Sequence, residues 1–263
     1  MTDSEAIKFD FAYITIHGTP GEDGTLQGYF DMLGIPYSNS GVLSSALTFN
    51  KFVCNRYLKS FGIKVPESVL LKKNSVYNTD EIVAHLGLPV FVKPNAGGSS
   101  FGTTKVKDFS QLDKAVADAF NESSEVIVES FIAGTEVTCG CYKNGQGLQV
   151  LPLTEVVSHN EFFDYAAKYK GQVEEITPAR ISKQMTRKIK ETTSLIYDLV
   201  GAKGIIRADY IISVNTPVLL EINTTPGMTP TSFIPQQVAA ANLSMTDVLS
   251  EIIEYEYSKV KSF

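Results

Sequence analysis

Two apolar runs near the C-terminal end of the sequence, Lys203–Ser213 and Pro217–Asn223, carry polar residues at alternating positions: Arg207 and Asp209 in the first, Glu221 and Asn223 in the second. Alternate side chains of an extended chain share one face. A hairpin around Val214-Asn215-Thr216 therefore gathers a guanidinium, two carboxylates and an amide into one patch. Their neighbours Ile205, Ile206, Ile211, Ile212, Leu219, Leu220 and Ile222 are apolar, and an uncompensated carboxylate in such surroundings costs several kcal/mol. Two compensations fit. Arg207 can close a buried salt bridge, or the oxygens can hold Mg2+, which takes one or two carboxylates, an amide oxygen, water and phosphate oxygens.

Phosphates in turn need donors. Asn95-Ala-Gly-Gly-Ser-Ser-Phe-Gly102 is a glycine-rich loop directly after Lys93 and Pro94, with closely approachable backbone N–H groups and two hydroxyls. It matches neither the phosphate loop that ends Gly-Lys-Ser/Thr and opens a helix nor the dinucleotide fingerprint, because a strand is expected on each side. Taken alone, the loop is equally an ordinary turn, and Lys51 and Lys93 are equally solvated surface lysines.

The elements that must position these groups read as a mixed α/β (α+β) chain. Phe11–His17 is a short β-branched run followed by a loop, and Leu26, Tyr29, Phe30 and Leu33 keep a helical period up to Gly34. Helical spacing recurs over 50–61, 81–86, 111–120 and 248–255, and from Ser182, a capping residue, to Gly201. Strands are expected over 65–71, 90–94, 103–106 and 125–131, with a hairpin of Glu136–Tyr142 and Leu148–Val157 across Asn144-Gly145. Residues 159–180 are polar, aromatic and aperiodic, a length that reads as a functional loop. The expected units are 1–50, 51–135 with the glycine-rich loop, and 136–263 with the metal patch. Cys54, Cys139 and Cys141 are odd in number, lack metal-ligand spacing and read as plain thiols. His17 is a strand-end histidine, and His85 and His159 read as solvated.

The 263 residues hold 23 Lys and Arg against 29 Asp and Glu, a net charge of −6. With no basic run this argues against a nucleic-acid partner. No apolar stretch reaches the roughly 18–20 residues of a membrane span, and Met1-Thr-Asp-Ser-Glu lacks a secretion-signal layout, so a cytoplasmic protein is expected.

In order along the chain stand His17-Gly18, Gly21-Glu-Asp-Gly-Thr-Leu-Gln-Gly28, Ile35-Pro-Tyr37, Lys51, Val92-Lys-Pro94, Gly98-Ser-Ser100, Gly102, Phe163-Asp-Tyr165, Ala167-Lys-Tyr169, Arg207 with Asp209, and Leu220-Glu-Ile-Asn-Thr-Thr-Pro-Gly-Met228. From about Phe11 to Tyr255 this series resembles the ATP-grasp superfamily and, within it, the D-alanine–D-alanine ligases. The resemblance implies an N-terminal α/β domain followed by central and C-terminal α+β subdomains that sandwich ATP. It implies ATP-dependent joining of two D-alanine molecules through an acyl phosphate, for peptidoglycan precursors.

By the same resemblance Lys51, Lys93, Gly98, Ser99 and Ser100 are similar to groups that hold the nucleotide phosphates, and Glu129 and Glu136 to those that contact adenine and ribose. Asp209, Glu221 and Asn223 resemble ligands of Mg2+, with two ions expected and Mn2+ as a substitute. Lys168 matches the loop lysine that reaches the γ-phosphate, and Tyr169 the tyrosine paired with the loop serine, Ser99, a pairing that favours D-alanine over D-lactate as second substrate. Arg207 and the Gly227 N–H resemble the groups that stabilise a tetrahedral intermediate. Ser232 and Phe233 sit where the second carboxylate is held, and His17 near the first. Such ligases usually form homodimers through the N-terminal domain. They also open with a further strand and helix bearing a Ser-x-Glu segment, whereas Met1–Lys8 runs directly into the strand ending at His17. The first domain is thus expected to be shortened, through a mis-assigned start, a trimmed expressed piece or a naturally short paralogue. The alternatives are a nucleotide-binding remnant without turnover or another ATP-grasp carboxylate–amine ligase.

Overall fold

A computed structural model describes residues 8–97, 102–158 and 173–260. Two antiparallel sheets organise it. The smaller one runs β1 (Ser68–Lys72), β4 (Glu125–Ser130), β2 (Val90–Pro94), β3 (Thr104–Val106) in that spatial order. Alternation divides its faces. Val90, Val92, Val126 and Val128 turn inward onto α4 (Thr79–Leu86) and α5 (Leu112–Ala119), meeting Ile82, Leu112 and Val116. Lys93 stands opposite Ile127 and Phe91 opposite Glu129, so these four occupy the other face.

The larger sheet runs β10 (Thr216–Asn223), β9 (Ile205–Ser213), β5 (Thr135–Asn144), β7 (Thr154–Ser158), β8 (Val173–Ile176), with β6 (Gly147–Val150) alongside the far end of β5. One face carries Val137, Cys139, Cys141, Ile206, Ala208, Tyr210, Leu219 and Ile222 beneath α6 (Lys183–Leu199). Cys54 and Leu58 of α3 (Lys51–Ser60) join the same core. All three cysteines are free and buried, and burial pushes the Cys54 thiol up to about 12. On the opposite face Tyr142 and Ile205 pack under Ile234 and Val238 of α7 (Phe233–Ala240) and Val248 and Ile252 of α8 (Met245–Val260). Farther along that face stand the polar residues Arg207, Asp209, Thr138 and Glu136, with Ile211, Val218 and Val156 at their edge.

The helices that sequence located start where capping chemistry permits. Ser182 accepts from Met185 N–H, and Gly201, in the left-handed region at φ 63°, ends α6. The Ser213–Thr216 hairpin turns through Val214 and Asn215 at φ 45° and 60°, as a two-residue primed turn requires. Gly204 meets a further demand: at φ 60°, a Cβ there would lie 1.8 Å from the Ser38 carbonyl. No helix among the described residues is long and apolar enough to cross a membrane.

Four expectations are corrected. Phe11–His17 forms a single parallel bridge, Ala12 to Tyr37, and not a strand. Pairing stops there because the next inward amide, Ile14 N–H, donates to Ser38 Oγ at 3.1 Å and not to a backbone carbonyl. The 159–180 stretch is not loop throughout, because Val173–Ile176 pairs with β7 as the edge strand β8. The Leu148–Val157 strand is two strands, β6 and β7, interrupted over 151–153, and its tight turn centres on Gly145-Gln146. Gln237 of α7 repairs that break: its side chain accepts from Gly140 N–H at 2.8 Å and donates to the Thr138 carbonyl at 3.0 Å. Finally, 65–71 becomes a strand only from Ser68, since Pro66 has no N–H to give a ladder. Helix α1 spans Thr25–Leu33, and helix α2 (Val42–Phe49) was not anticipated.

Candidate active site

The polar face of the larger sheet is built by register. Glu221 pairs with Asp209 and Asn223 with Arg207 between β10 and β9, while Thr138 pairs with Asp209 and Glu136 with Ile211 between β5 and β9. Arg207 closes a two-point fork on Asp209, Nε to Oδ1 and Nη2 to Oδ2, each at 2.8 Å. Asn223 Nδ2 donates to the same Oδ2 at 3.0 Å. The guanidinium also lies over the Phe233 ring, 5.1 Å from its centroid, a cation–π contact at the head of α7. Burial works against the Arg207 charge, yet Asp209, with Glu221 and Glu136 behind it, holds its pKa above the ordinary value.

The lysines arrive from the other elements. Lys93, at the end of β2, meets Glu129 at 2.6 Å, with side chains 14% and 4% exposed. Burial alone would lower the Lys93 pKa, but Glu129 and then Glu221 more than offset it, and the net shift is upward. Asn55 of α3 donates to the other Glu129 oxygen at 3.4 Å. Lys51, the first residue of α3, reaches the Gly97 carbonyl at 2.6 Å and Glu221 at 3.7 Å. Asn95 holds this junction: its side chain accepts from Phe52 N–H at 2.8 Å and donates to Asn50 at 3.0 Å and Glu125 at 2.8 Å, and its carbonyl accepts from Lys51 N–H. The start of α3 and the root of the glycine-rich loop are thus one unit.

Gly98, Ser99 and Ser100 of that loop lie outside the described residues, as do His159, Phe163, Tyr165, Lys168 and Tyr169 of the aromatic stretch.

At the N-terminal side, His17 is exposed and Glu22 buried, and Glu22 Oε2 accepts from Gly18 N–H at 2.6 Å. Burial raises the Glu22 pKa; Glu221 adds to the rise, while the Gly18 N–H, His17 and Lys51 pull against it. The unfolded chain releases this proton at the ordinary value of about 4.3 and the folded chain at higher pH, so the fold loses stability over that interval. Glu22→Gln retains an oxygen for Gly18 and removes the titration. Urea unfolding from about pH 4 to about pH 7 should show the variant gaining on the parent as pH rises; a flat difference would refute the burial argument. The same segment is anchored by Asn39, whose Nδ2 donates to the Thr224 carbonyl at 3.2 Å and to Thr225 Oγ1 at 2.8 Å. Beyond Thr225, Gly227 abuts Ser232, whose Oγ would sit 2.8 Å from any Cβ at 227, and Ser232 Oγ lies 2.8 Å from Thr229 Oγ1.

The structure therefore brings Arg207, Asp209, Glu221, Asn223, Lys51, Lys93, Glu129, Glu136 and Phe233 into one electrostatic neighbourhood. Sequence reasoning missed Asn39, Asn55, Asn95 and Thr138. Only Asn95 carried a signal, its place at the head of the glycine-rich loop.

Among the described residues no cluster of three or more His, Cys, Asp and Glu is poised for a metal. The donors that do converge are two carboxylates and an amide, all hard oxygen ligands, and such a set suits Mg2+ when phosphate completes the shell. Three cations, Lys51, Lys93 and Arg207, are in electrostatic reach of five carboxylates, Glu22, Glu129, Glu136, Asp209 and Glu221. A polyphosphate added to that balance needs further positive charge, so the residues fit both groups.

A family model described as D-ala D-ala ligase C-terminus matches residues 57–254, and one described as D-ala D-ala ligase N-terminus matches residues 1–40. The D-alanine--D-alanine ligase of Parabacteroides distasonis is 65% identical over 255 residues, which are 97% of this chain and 77% of that protein. That of Bacteroides fragilis is 60% identical over 258 residues, 98% of this chain and 80% of the relative. The crystal structure of the VanG D-Ala:D-Ser ligase from Enterococcus faecalis superposes with a TM-score of 0.87 at 38% identity, covering 95% of this chain and 74% of that one. The Bacillus anthracis D-alanine--D-alanine ligase complexed with ATP gives 0.84 at 32% identity, covering 96% and 81%. The fold is thus ATP-grasp, and by sequence and structure alike the chain belongs to the D-alanine–D-alanine ligase family.

Proposed function

We propose that the chain is an ATP-dependent D-alanine–D-alanine ligase that acts in the cytoplasm on peptidoglycan precursors. The observation that carries this reading is the Arg207–Asp209–Glu221–Asn223 patch facing Lys51 and Lys93, in a chain 60–65% identical to such ligases over nearly its whole length. A carboxylate is a poor electrophile until an oxygen leaves as phosphate. The first D-alanine attacks the γ-phosphorus through a carboxylate oxygen, giving an acyl phosphate and ADP. The amine of the second attacks the acyl carbon, loses a proton and expels phosphate.

Lys51 and Lys93 bind the phosphates by exchanging Glu221 and Glu129 for phosphate oxygens, since both ammonium groups already sit within 4 Å of a carboxylate. Asp209, Glu221 and Asn223 would hold Mg2+, with two ions proposed and Mn2+ as a substitute, and the bound metal would neutralise charge on the transferring group. Arg207 and the Gly227 N–H stabilise the tetrahedral oxyanion. Glu129 and Glu136 contact the adenosine, with Gly98, Ser99, Ser100 and Lys168 on the phosphates and Tyr169 paired to Ser99. His17 serves the first substrate, and Ser232 and Phe233 the second. A homodimer is proposed through the N-terminal part, supported by exposed Phe9, Tyr29, Met32 and Leu33.

The test is phosphate release and dipeptide formation by the purified chain with ATP and Mg2+. Release that depends on D-alanine is expected. Bound nucleotide without such release selects a nucleotide-binding module, and release with a different amino or hydroxy acid selects another carboxylate–amine ligase.

A further inference from the structure

We propose that Thr138 is a positioning residue for Asp209, its hydroxyl taking hold of that carboxylate when Arg207 turns from Asp209 to the reacting substrate. The inference rests on the ligase reading above. It starts from a row of side chains running across the larger sheet: Thr154 on β7 pairs with Thr138 on β5, Thr138 with Asp209 on β9, and Asp209 with Glu221 on β10. Residues directly opposite in antiparallel strands point the same way, so the four form a polar ladder beneath the proposed metal and phosphate groups.

Within this ladder every other group has a partner. Thr154 Oγ1 lies 2.6 Å from Thr177 Oγ1 and accepts from Gln237 at 3.1 Å. The Thr138 carbonyl accepts from the same amide. Asp209 accepts from Arg207 and Asn223, and Glu221 leans on Lys51. The Thr138 hydroxyl stands apart: the residue is 2% exposed, and among the described residues Oγ1 is fully buried with no hydrogen-bond partner. Buried polar groups are rarely left in that condition, because the water they gave up is not replaced. A valine has the same shape without the penalty. A hydroxyl retained here is explained if it finds its partner in another state of the site.

The chemistry supplies that state. When Arg207 turns toward the developing oxyanion the Nε and Nη2 edge that it gives to Asp209 in the ligand-free site, the carboxylate loses both of those bonds. Once it turns, Asp209 keeps only the Asn223 donor, in a site where Glu221 and Glu136 add negative charge. Thr138, directly opposite, can then donate its proton to the freed oxygen and hold the carboxylate in the orientation a cation needs.

The experiment uses the full chain with Thr138→Val and Thr138→Ser. Thermal unfolding without ligands should put the valine variant about 2–4 °C above the parent, because the unpartnered hydroxyl is gone. Calorimetric titration of ADP should show affinity unchanged without Mg2+ and about tenfold weaker with it. The kcat for D-alanine ligation should fall by a similar factor at unchanged KM. The serine variant, which retains the hydroxyl, should bind Mg2+ and ADP and turn over like the parent. A valine variant equal to the parent in Mg2+-dependent binding and kcat, or less stable than the parent without ligands, overturns the role of Thr138 while the ligase reading stands. A parent chain that neither ligates D-alanine nor binds ADP with Mg2+ overturns the ligase reading, and this inference with it.

Discussion

Replacing Arg207 with methionine is expected to slow D-alanine-dependent phosphate release by about 10²–10³-fold, the usual loss when a preorganised oxyanion donor is removed. The same change should destabilise the ligand-free protein by about 3–5 kcal/mol, because one partner of a buried ion pair is left uncompensated. Asp209 is 13% exposed at its side chain and, among the described residues, takes two of its three hydrogen bonds from Arg207. Arg207→Lys separates the two effects. It keeps a charge for Asp209 but cannot reproduce the two-point fork. Stability measured by urea unfolding should therefore recover in part, while the rate remains low. A methionine variant that ligates within a few-fold of the parent would remove Arg207 from the chemistry.

The patch around Arg207 was legible in part, because alternation of polar and apolar residues in β9 and β10 is a local signal, but the two-residue turn at Val214-Asn215 alone would set Asp209 opposite Leu220, and it is the register shift between Leu219 and Glu221 that brings the polar sets together. What sits opposite them was not legible. Thr138 reads like any threonine in a strand until the register of β5 against β9 sets it beside Asp209. The run Phe11–His17 has the composition of a strand, yet a strand is a pairing, and Ser38 Oγ claims the amide that would have continued it. The reverse holds for Val173–Ile176, four residues with two glutamates that become a strand only because the edge of β7 offers a ladder. Helix α7 is hard to read from sequence because eight residues with Pro235 inside show little periodicity, and Ser232, its N-cap residue, makes no side-chain capping bond. The lysine–carboxylate contacts were invisible for a different reason: Lys93 and Glu129 lie on separate strands of a sheet whose order, β1-β4-β2-β3, is not sequential.

That last pair makes the second large prediction. Lys93→Met should cost about 3–5 kcal/mol of stability, since it leaves Glu129, 4% exposed at its side chain, with only the long contact to Asn55 among the described residues. It should also weaken ADP binding by at least about tenfold, the expected loss of one hydrogen bond to a charged phosphate. If both losses come from the same site by different routes, they can be uncoupled. Adding Glu129→Gln to Lys93→Met removes the orphaned charge and keeps an oxygen acceptor for Asn55. The double variant should then regain at least half of the lost stability in urea unfolding, yet bind ADP no better than the single variant, because the phosphates still lack their ammonium and the adenosine has lost the Glu129 carboxylate. Recovery of affinity together with stability would mean that Lys93 only braces the fold and that the nucleotide's phosphates lie elsewhere.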